Sequence, residues 1–186
     1  MAETSAFLTA EQFSKGTNGQ ISADDDRVHP LLEGASAGVR RYCGWHIAPE
    51  VSTTLTLDGD GGRLLTLPTL HLVEVEAVTV NGEVLAGGAY DWSESGMVEL
   101  RHGCWPRRFR SITVQMKHGF EDAPDVAQVV QQVVANAISS ALGATREQAG
   151  QVSISWSLTA PNVAGGISLL QRDLDTLNLY KLPGRI

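Results

Sequence analysis

The chain has 186 residues, with 14 lysines and arginines against 21 aspartates and glutamates, and a net charge of −7. This length suits one domain with appendages and needs no disulfide bonds, so the two cysteines, Cys43 and Cys104, favour a reducing compartment. The acidic balance argues against a protein that grips duplex DNA through its phosphates. We expect no signal peptide and no membrane span, since no run of about 20 apolar residues occurs.

The first fifty residues predict two helices. Thr9 and Gln12 have the spacing of a capping box at the start of a short helix. In a capping box each of the two side chains accepts a hydrogen bond from the backbone amide of the other residue. Apolar residues then recur at helical intervals over positions 28–42. Arg40 and Arg41 fall in the last turn of this second helix, where cations complement the helix dipole.

Residues 51–119 have the alternating texture of short antiparallel strands, and we predict a small sheet or barrel. The stretch "VSTTLTL" meets the turn cluster "DGDGG", so a hairpin with the following "RLLTLP" is expected. Asn81-Gly82 predicts a second, type I′ hairpin. A calcium loop at Asp58 is disfavoured because its twelfth position holds Thr69 instead of a bidentate glutamate.

Residues 120–145 predict one long helix that opens at Pro124. Its apolar stripe runs from Val126 to Ala141, and no charged residue occurs between Val126 and Thr145. A helix face open to water usually carries lysine and glutamate. The uncharged face therefore predicts burial, either at a subunit interface or inside the monomer. Its polar residues include Gln128, Gln131, Gln132 and Asn136.

Residues 146–186 predict a C-terminal arm that contains a strand and a short helix. The stretch "QVSISWSL" alternates, and Ser168 with Gln171 has the spacing of a second capping box. Such an arm docks on a surface, which is either its own domain or a neighbour.

Few residues suggest chemistry. Cys43, His46, His102 and Cys104 could form a Cys2His2 zinc set, although a buried cysteine and exposed histidines explain them equally simply. No nucleophile elbow, phosphate loop or dinucleotide motif is present, so we predict a protein that is not an enzyme and has no cofactor.

Aromatic and basic residues alternate in "GCWPRRFR". Such a mixture suits stacking against nucleic acid, but it equally suits a loop whose arginines pair with acidic groups on a neighbouring subunit. The acidic balance of the chain favours the second interpretation.

Four phrases of the sequence carry a resemblance to a known family. They are the helix end "VRRYCGWHIAP", then "YDWSESGMVEL", "CWPRRFRSITVQMKHGFEDAPDVAQVV" and "LLQRDLDTLNLYKLPGR". Together they resemble the head-to-tail adaptor (head completion, connector) proteins of long-tailed bacteriophages, especially those of actinobacteria. The similarity spans nearly the whole chain and includes no catalytic signature.

The resemblance implies a structural virion protein that is assembled in the host cytoplasm. It would form a ring of about twelve copies below the portal at the capsid vertex, extend the DNA channel without binding DNA specifically, and hold a tail completion or stopper protein. The implied fold class is α+β, a small connector-type helical bundle with an inserted antiparallel β-subdomain and an extended C-terminal arm. The corresponding segments are 1–50, 51–119, 120–145 and 146–186.

Two sets of residues follow from this interpretation. The expected subunit interface contains polar residues of the long helix and arginines outside it, namely Gln128, Gln131, Gln132, Asn136, Arg40, Arg41, Arg107 and Arg108. The expected portal-docking arm contributes apolar residues, namely Trp156, Leu170, Leu174, Leu177 and Tyr180. The alternative is a zinc-bearing, protein-binding module of a soluble complex.

Overall fold

A computed structural model describes residues 6–139, 146–149, 152–155 and 169–184, the two short ranges by their backbone alone. The chain forms two compact units. The β unit is built mainly from Gly44–Ala123, and the helical unit from Glu3–Cys43 and Pro124–Lys181. The β unit is thus inserted between two halves of the helical unit, and the fold is α+β. Among the described residues, no helix has both the length and the apolar character that a bilayer crossing requires.

In the described part of the helical unit there are four helices, which are α1 (Ala10–Gly16), α2 (Val28–Cys43), α3 (Pro124–Ser139) and α4 (Gln171–Asn178). The predicted capping box of α1 is confirmed: the Gln12 amide donates to Thr9 Oγ1 at 3.2 Å, and the Thr9 amide donates to Gln12 Oε1 at 2.8 Å. Helix α2 ends where Gly44 takes a φ of 85°, a conformation that glycine adopts without strain.

Helices α2 and α3 pack together through apolar faces. The apolar stripe predicted for α3 is confirmed as far as Ile138, and its last member, Ala141, lies outside the described residues. Burial of such a stripe contributes about 25 cal/mol for each Å² of apolar surface removed from water. The buried apolar side chains of the two helices are Val28, Leu32, Ala35, Val39, Cys43, Val126, Val129, Val130, Val133, Val134 and Ile138.

A short hairpin also belongs to the helical unit. Strands β8 (Arg146–Ala149) and β9 (Val152–Ser155) pair antiparallel and form a two-stranded sheet of their own.

The β unit contains seven strands in two antiparallel sheets. The four-stranded sheet has the order β1-β7-β3-β4, and the three-stranded sheet has the order β2-β6-β5. The strands are β1 (Val51–Leu57), β2 (Leu64–Thr66), β3 (Leu72–Val80), β4 (Glu83–Val84), β5 (Tyr90–Ser93), β6 (Met97–Leu100) and β7 (Ile112–His118).

One hydrophobic core joins the two sheets. Inward positions alternate along β6 and β7, as the period of a strand requires. Trp105 is only 1 % exposed and fills this core from the loop between β6 and β7. The other members are Leu65, Leu67, Leu72, Val75, Val78, Tyr90, Val98, Leu100, Ile112, Val114 and Met116.

The predicted hairpin at Asn81-Gly82 is confirmed, and a further hairpin joins β5 to β6. Asn81 and Gly82 join β3 to β4 with φ angles of 51° and 91°, which are the positive values of a type I′ turn. Strands β5 and β6 pair antiparallel across the turn in "YDWSESGMVEL", and Ser93 lies opposite Met97 beside this turn.

The predicted hairpin around "DGDGG" is wrong. Strand β1 pairs with β7, and β2 pairs with β6. The turn bonds instead to the loop before β7, because the Gly59 amide donates to the Arg108 carbonyl at 2.9 Å and the Arg110 amide donates to Asp58 Oδ1 at 2.7 Å. These bonds explain the acidic turn structurally, without a calcium ion.

Candidate functional site

The outer face of α3 is exposed and uncharged. Gln128, Gln132 and Asn136 lie four residues apart along the helix and are exposed; we call them the glutamine face. Gln131 differs from them because it is half-buried and its Nε2 donates to the Gly16 carbonyl at 3.1 Å. Gln131 is therefore engaged within the chain, whereas the side chains of Gln128 and Gln132 are exposed on the outer face of α3.

The two arginines at the end of α2 have different surroundings. Arg40 is half-buried, and its guanidinium lies 4.2 Å from the centre of the Phe7 ring in a cation–π contact. Burial lowers the pKa of Arg40 from 12.5 to about 10. Arg41 is exposed. Of the pair predicted for a subunit interface, Arg40 thus has an internal packing role, and Arg41 is the better candidate.

Residues 106–110 form an exposed basic loop, which we call the arginine loop. Arg107 and Arg108 are exposed, and the Phe109 side chain is 84 % exposed. An exposed aromatic side chain beside arginines has the composition of a binding hot spot. Sequence reasoning selected the arginines and missed Phe109, because the sequence pattern does not show which of Trp105 and Phe109 is buried.

The structure does not assemble the predicted zinc set. The Cys43 thiol is buried and donates to the Leu177 carbonyl at 3.5 Å, and burial raises its pKa to about 11, opposite to what a thiolate ligand needs. His102 and Cys104 are exposed. Within the described ranges, no three or more His, Cys, Asp or Glu side chains form a group that could hold a metal ion. The zinc-bearing module therefore has no geometric support.

A buried histidine that the sequence did not single out lies at the end of β7. His118 is 5 % exposed, and its ring lies 5.8 Å from that of His46 and 6.3 Å from that of Trp45. No hydrogen-bond partner for its Nδ1 is found in the described part of the chain. The period of β7 could have indicated this burial, since His118 lies two residues beyond Met116 on the inner face.

We expect His118 to make the protein less stable as the pH falls from about 6.5 to about 4. Burial, and then repulsion from His46, lower the pKa of His118 from 6.5 to about 4. In this interval the unfolded chain binds a proton that the folded chain does not, so the stabilisation is complete above pH 6.5 and decreases below it. After allowance for partial solvent screening, the loss should be about 1–2 kcal/mol.

Urea unfolding at pH 7.5 and 4.5 tests this expectation on the parent protein and on His118→Gln, whose side chain does not titrate. The parent should lose about 1 kcal/mol more than the variant between the two pH values. Equal losses would contradict the role assigned to His118.

The final helix docks on its own unit. Leu177 is fully buried, Tyr42 Oη donates to Asn178 Oδ1 at 2.7 Å, and Tyr180 Oη donates to the Asp125 carboxylate at 2.8 Å. Leu177 and Tyr180, which were predicted to dock on the portal, are therefore used within the chain.

The remaining residues of the predicted portal-docking arm are Leu170, Leu174 and Trp156. Leu170 and Leu174 are half-buried, and Trp156 lies outside the described residues. The predicted capping box at Ser168 is wrong, since α4 begins at Gln171, and the Leu170 amide donates to Asp173 Oδ2 at 2.9 Å.

Comparison with solved structures shows a shared fold over the full length of the chain. The chain matches one in the neck of a native GTA particle with C12 symmetry, at a TM-score of 0.62 and 14% identity, covering 100% of this chain and 94% of that one. It also matches a chain in the virion of a native gene transfer agent (GTA) particle, at a TM-score of 0.65 and 13% identity over the same shares.

A third match is a chain in the neck of an empty GTA particle with C6 symmetry, at a TM-score of 0.61 and 13% identity, covering 96% of this chain and 91% of that one. No protein-family model and no curated protein sequence matches the chain.

Proposed function

We propose that this chain is a structural component of the neck of a phage-like particle. In this role it forms a ring adaptor that joins the portal to the tail or stopper protein and extends the channel for DNA. The observation that carries the proposal is the full-length likeness of fold to chains of GTA particle necks, whose structures were computed with C12 or C6 symmetry. The resemblance of the sequence to phage adaptors supports the same role. Its closer similarity to actinophage adaptors stays a prediction.

For the contact between neighbouring copies we propose the glutamine face, with Arg41, Arg107 and Arg108 as peripheral polar contacts. A ring requires a heterologous interface, in which two different surfaces of each copy meet. Uncharged amides suit such a contact, because they form hydrogen bonds across it without the desolvation cost of a buried charge.

For the portal contact we propose the apolar residues of the arm that are not fully buried in the helical unit. Leu179 is 78 % exposed directly after this helix, and Leu170 and Leu174 are half-buried. Trp156 is included on the strength of the sequence alone. The acidic net charge suits a channel through which DNA slides without adhering.

Co-expression with the portal protein of the same particle tests the proposed function. We expect the two proteins to co-purify, and electron microscopy to show a second ring of this chain on one end of the portal. A portal that stays bare in the presence of excess chain would contradict the proposal, whether the free chain is monomeric or not.

Charge placed on the glutamine face should prevent ring formation. We expect the double substitution Gln128→Glu and Gln132→Glu to reduce the fraction of portals bearing a complete ring at least tenfold, because carboxylates would become buried without partners at every contact. Negative-stain particle counts measure this fraction. The matched control, Ala37→Glu, adds a carboxylate at an exposed position of α2 and should assemble like the parent. Equal assembly by the double variant and the control would exclude the glutamine face as the interface.

A further inference from the structure

Strands β1 and β2 follow each other in the chain and do not pair. Strand β1 is the terminal strand of the four-stranded sheet, and β2 is the terminal strand of the three-stranded sheet. A groove of about 860 Å³, which we call the seam groove, begins at the C-terminal end of β1 and continues along β2. Its lining includes Thr56 and Leu57 of β1, Leu64 and Thr66 of β2, and Phe109 of the arginine loop.

The bonds of the intervening turn hold the groove open. The Gly59 and Arg110 amides tie the turn to the arginine loop, and the Trp105 amide donates to the Gly62 carbonyl at 2.7 Å. A Cβ atom on Gly59 would lie 1.8 Å from the Pro106 carbonyl oxygen, so the two backbones are in close contact. Strand β2 is thus held away from β1 by specific contacts, and the groove is a feature of the folded unit.

The open edge of β1 lacks the features that usually prevent pairing with another strand. Proteins protect edge strands with charges, prolines or bulges, or keep them very short. Strand β1 has seven residues with the sequence VSTTLTL, has no charge or proline, and pairs with β7 in continuous register from Val51 to Leu57. The backbone amides and carbonyls at the edge of β1 can therefore form hydrogen bonds with one more strand.

The seam groove has an apolar part, Phe109 and Leu64, and a charged part of both signs, Asp58, Asp60 and Arg110. Phe109 and Leu64 are 84 % and 46 % exposed, and large exposed apolar side chains beside polar ones mark sites of protein contact. Strand edges require a partner that offers backbone amides and carbonyls, which is an extended peptide.

We propose that strand β9 of a second copy of this chain occupies the seam groove and adds to the edge of β1. Among the described residues, β8 and β9 form a sheet of two strands. A two-stranded sheet is marginally stable in isolation and gains from a third strand. The sequence of β9, VSIS, is uncharged, whereas β8, REQA, contains Arg146 and Glu147. An uncharged strand is the better partner for the uncharged β1.

This inference rests on the proposed ring, in which every copy has a neighbour. The contact is heterologous, because β9 of one copy meets β1 of the next, and such a contact closes into a ring when the rotation allows. It also places Phe109 and the arginine loop beside the neighbouring copy.

Binding of a labelled peptide to the intact chain tests the proposal. The peptide GQVSISWS, which spans 150–157, is titrated with the full-length protein and followed by fluorescence anisotropy. Two further peptides carry backbone N-methyl groups, one on Val152 and Ile154 and the other on Ser153 and Ser155. Only alternate amides of an added strand face β1, so we expect one methylated peptide to lose at least tenfold in affinity and the other to stay within about threefold of the parent peptide.

Failure of the parent peptide to bind would overturn the proposal, and so would equal binding by the two methylated peptides. A groove that takes its strand from another neck protein would give the first of these outcomes. The peptide assay needs neither a portal nor a ring, so its failure is distinguishable from failure of the proposed function, which co-assembly measures separately.

Discussion

Replacing Trp105 by alanine is expected to lower the free energy of unfolding of the β unit by about 3–5 kcal/mol. The side chain is 1 % exposed and lies in the core that both sheets share, so its removal leaves a large cavity. Its backbone amide, which alanine retains, bonds to the Gly62 carbonyl. The expected loss therefore comes from the core.

Urea unfolding followed by far-ultraviolet circular dichroism measures the effect of the Trp105 substitution. The matched control is Phe109→Ala in the same loop, where the aromatic ring is 84 % exposed and its loss should change stability by no more than about 0.5 kcal/mol. Similar losses for the two variants would mean that Trp105 does not hold the two sheets together.

Replacing Leu177 by alanine is expected to lower the free energy of unfolding by about 2–5 kcal/mol and to release α4 from the helical unit. Leu177 is fully buried, and its carbonyl accepts a hydrogen bond from the Cys43 thiol. Release of α4 should therefore expose that thiol. In a Cys104→Ser background, we expect Cys43 to react with a thiol reagent at least tenfold faster in the Leu177 variant.

The control for this experiment is Leu179→Ala, two residues further along the chain, whose side chain is 78 % exposed. It should leave both the stability and the labelling rate of Cys43 close to those of the parent. If Leu177→Ala left the Cys43 labelling rate unchanged, the docking of α4 on its own unit would be refuted.

Local signals in the sequence predicted most of the secondary structure. The capping box at Thr9, the Asn81-Gly82 turn and the apolar period of α3 each depend on residues close together in the chain, and all three are confirmed. The helix at Ser168 was placed too early because a capping pattern is short and recurs by chance. Asp173, inside the helix, accepts a hydrogen bond from the Leu170 amide with its carboxylate.

Pairing between distant strands could not be predicted in the same way. The turn at Asp58 has the composition of a hairpin, but its backbone bonds to Arg108 and Arg110, about fifty residues away in the chain. The partner of β1 is β7, and no local pattern identifies it.

The candidate surfaces were predicted only in part. The uncharged sequence of α3 identified the glutamine face but did not separate Gln131, whose partner Gly16 is far away in the chain. Of the apolar residues expected in the docking arm, Leu177 is buried in its own unit, and the portal contact of the arm stays a prediction.

The pairing of the first and last strands of the β unit has a consequence for the order of folding. Val51 lies opposite His118 in the register of β1 and β7, so the folded insertion brings its two ends together. An unfolded insertion would instead separate α2 from α3 by a long flexible tether, and the entropy of closing such a loop opposes their association. We expect the insertion to fold first. Its folding then lowers the entropy cost of bringing α2 and α3 together.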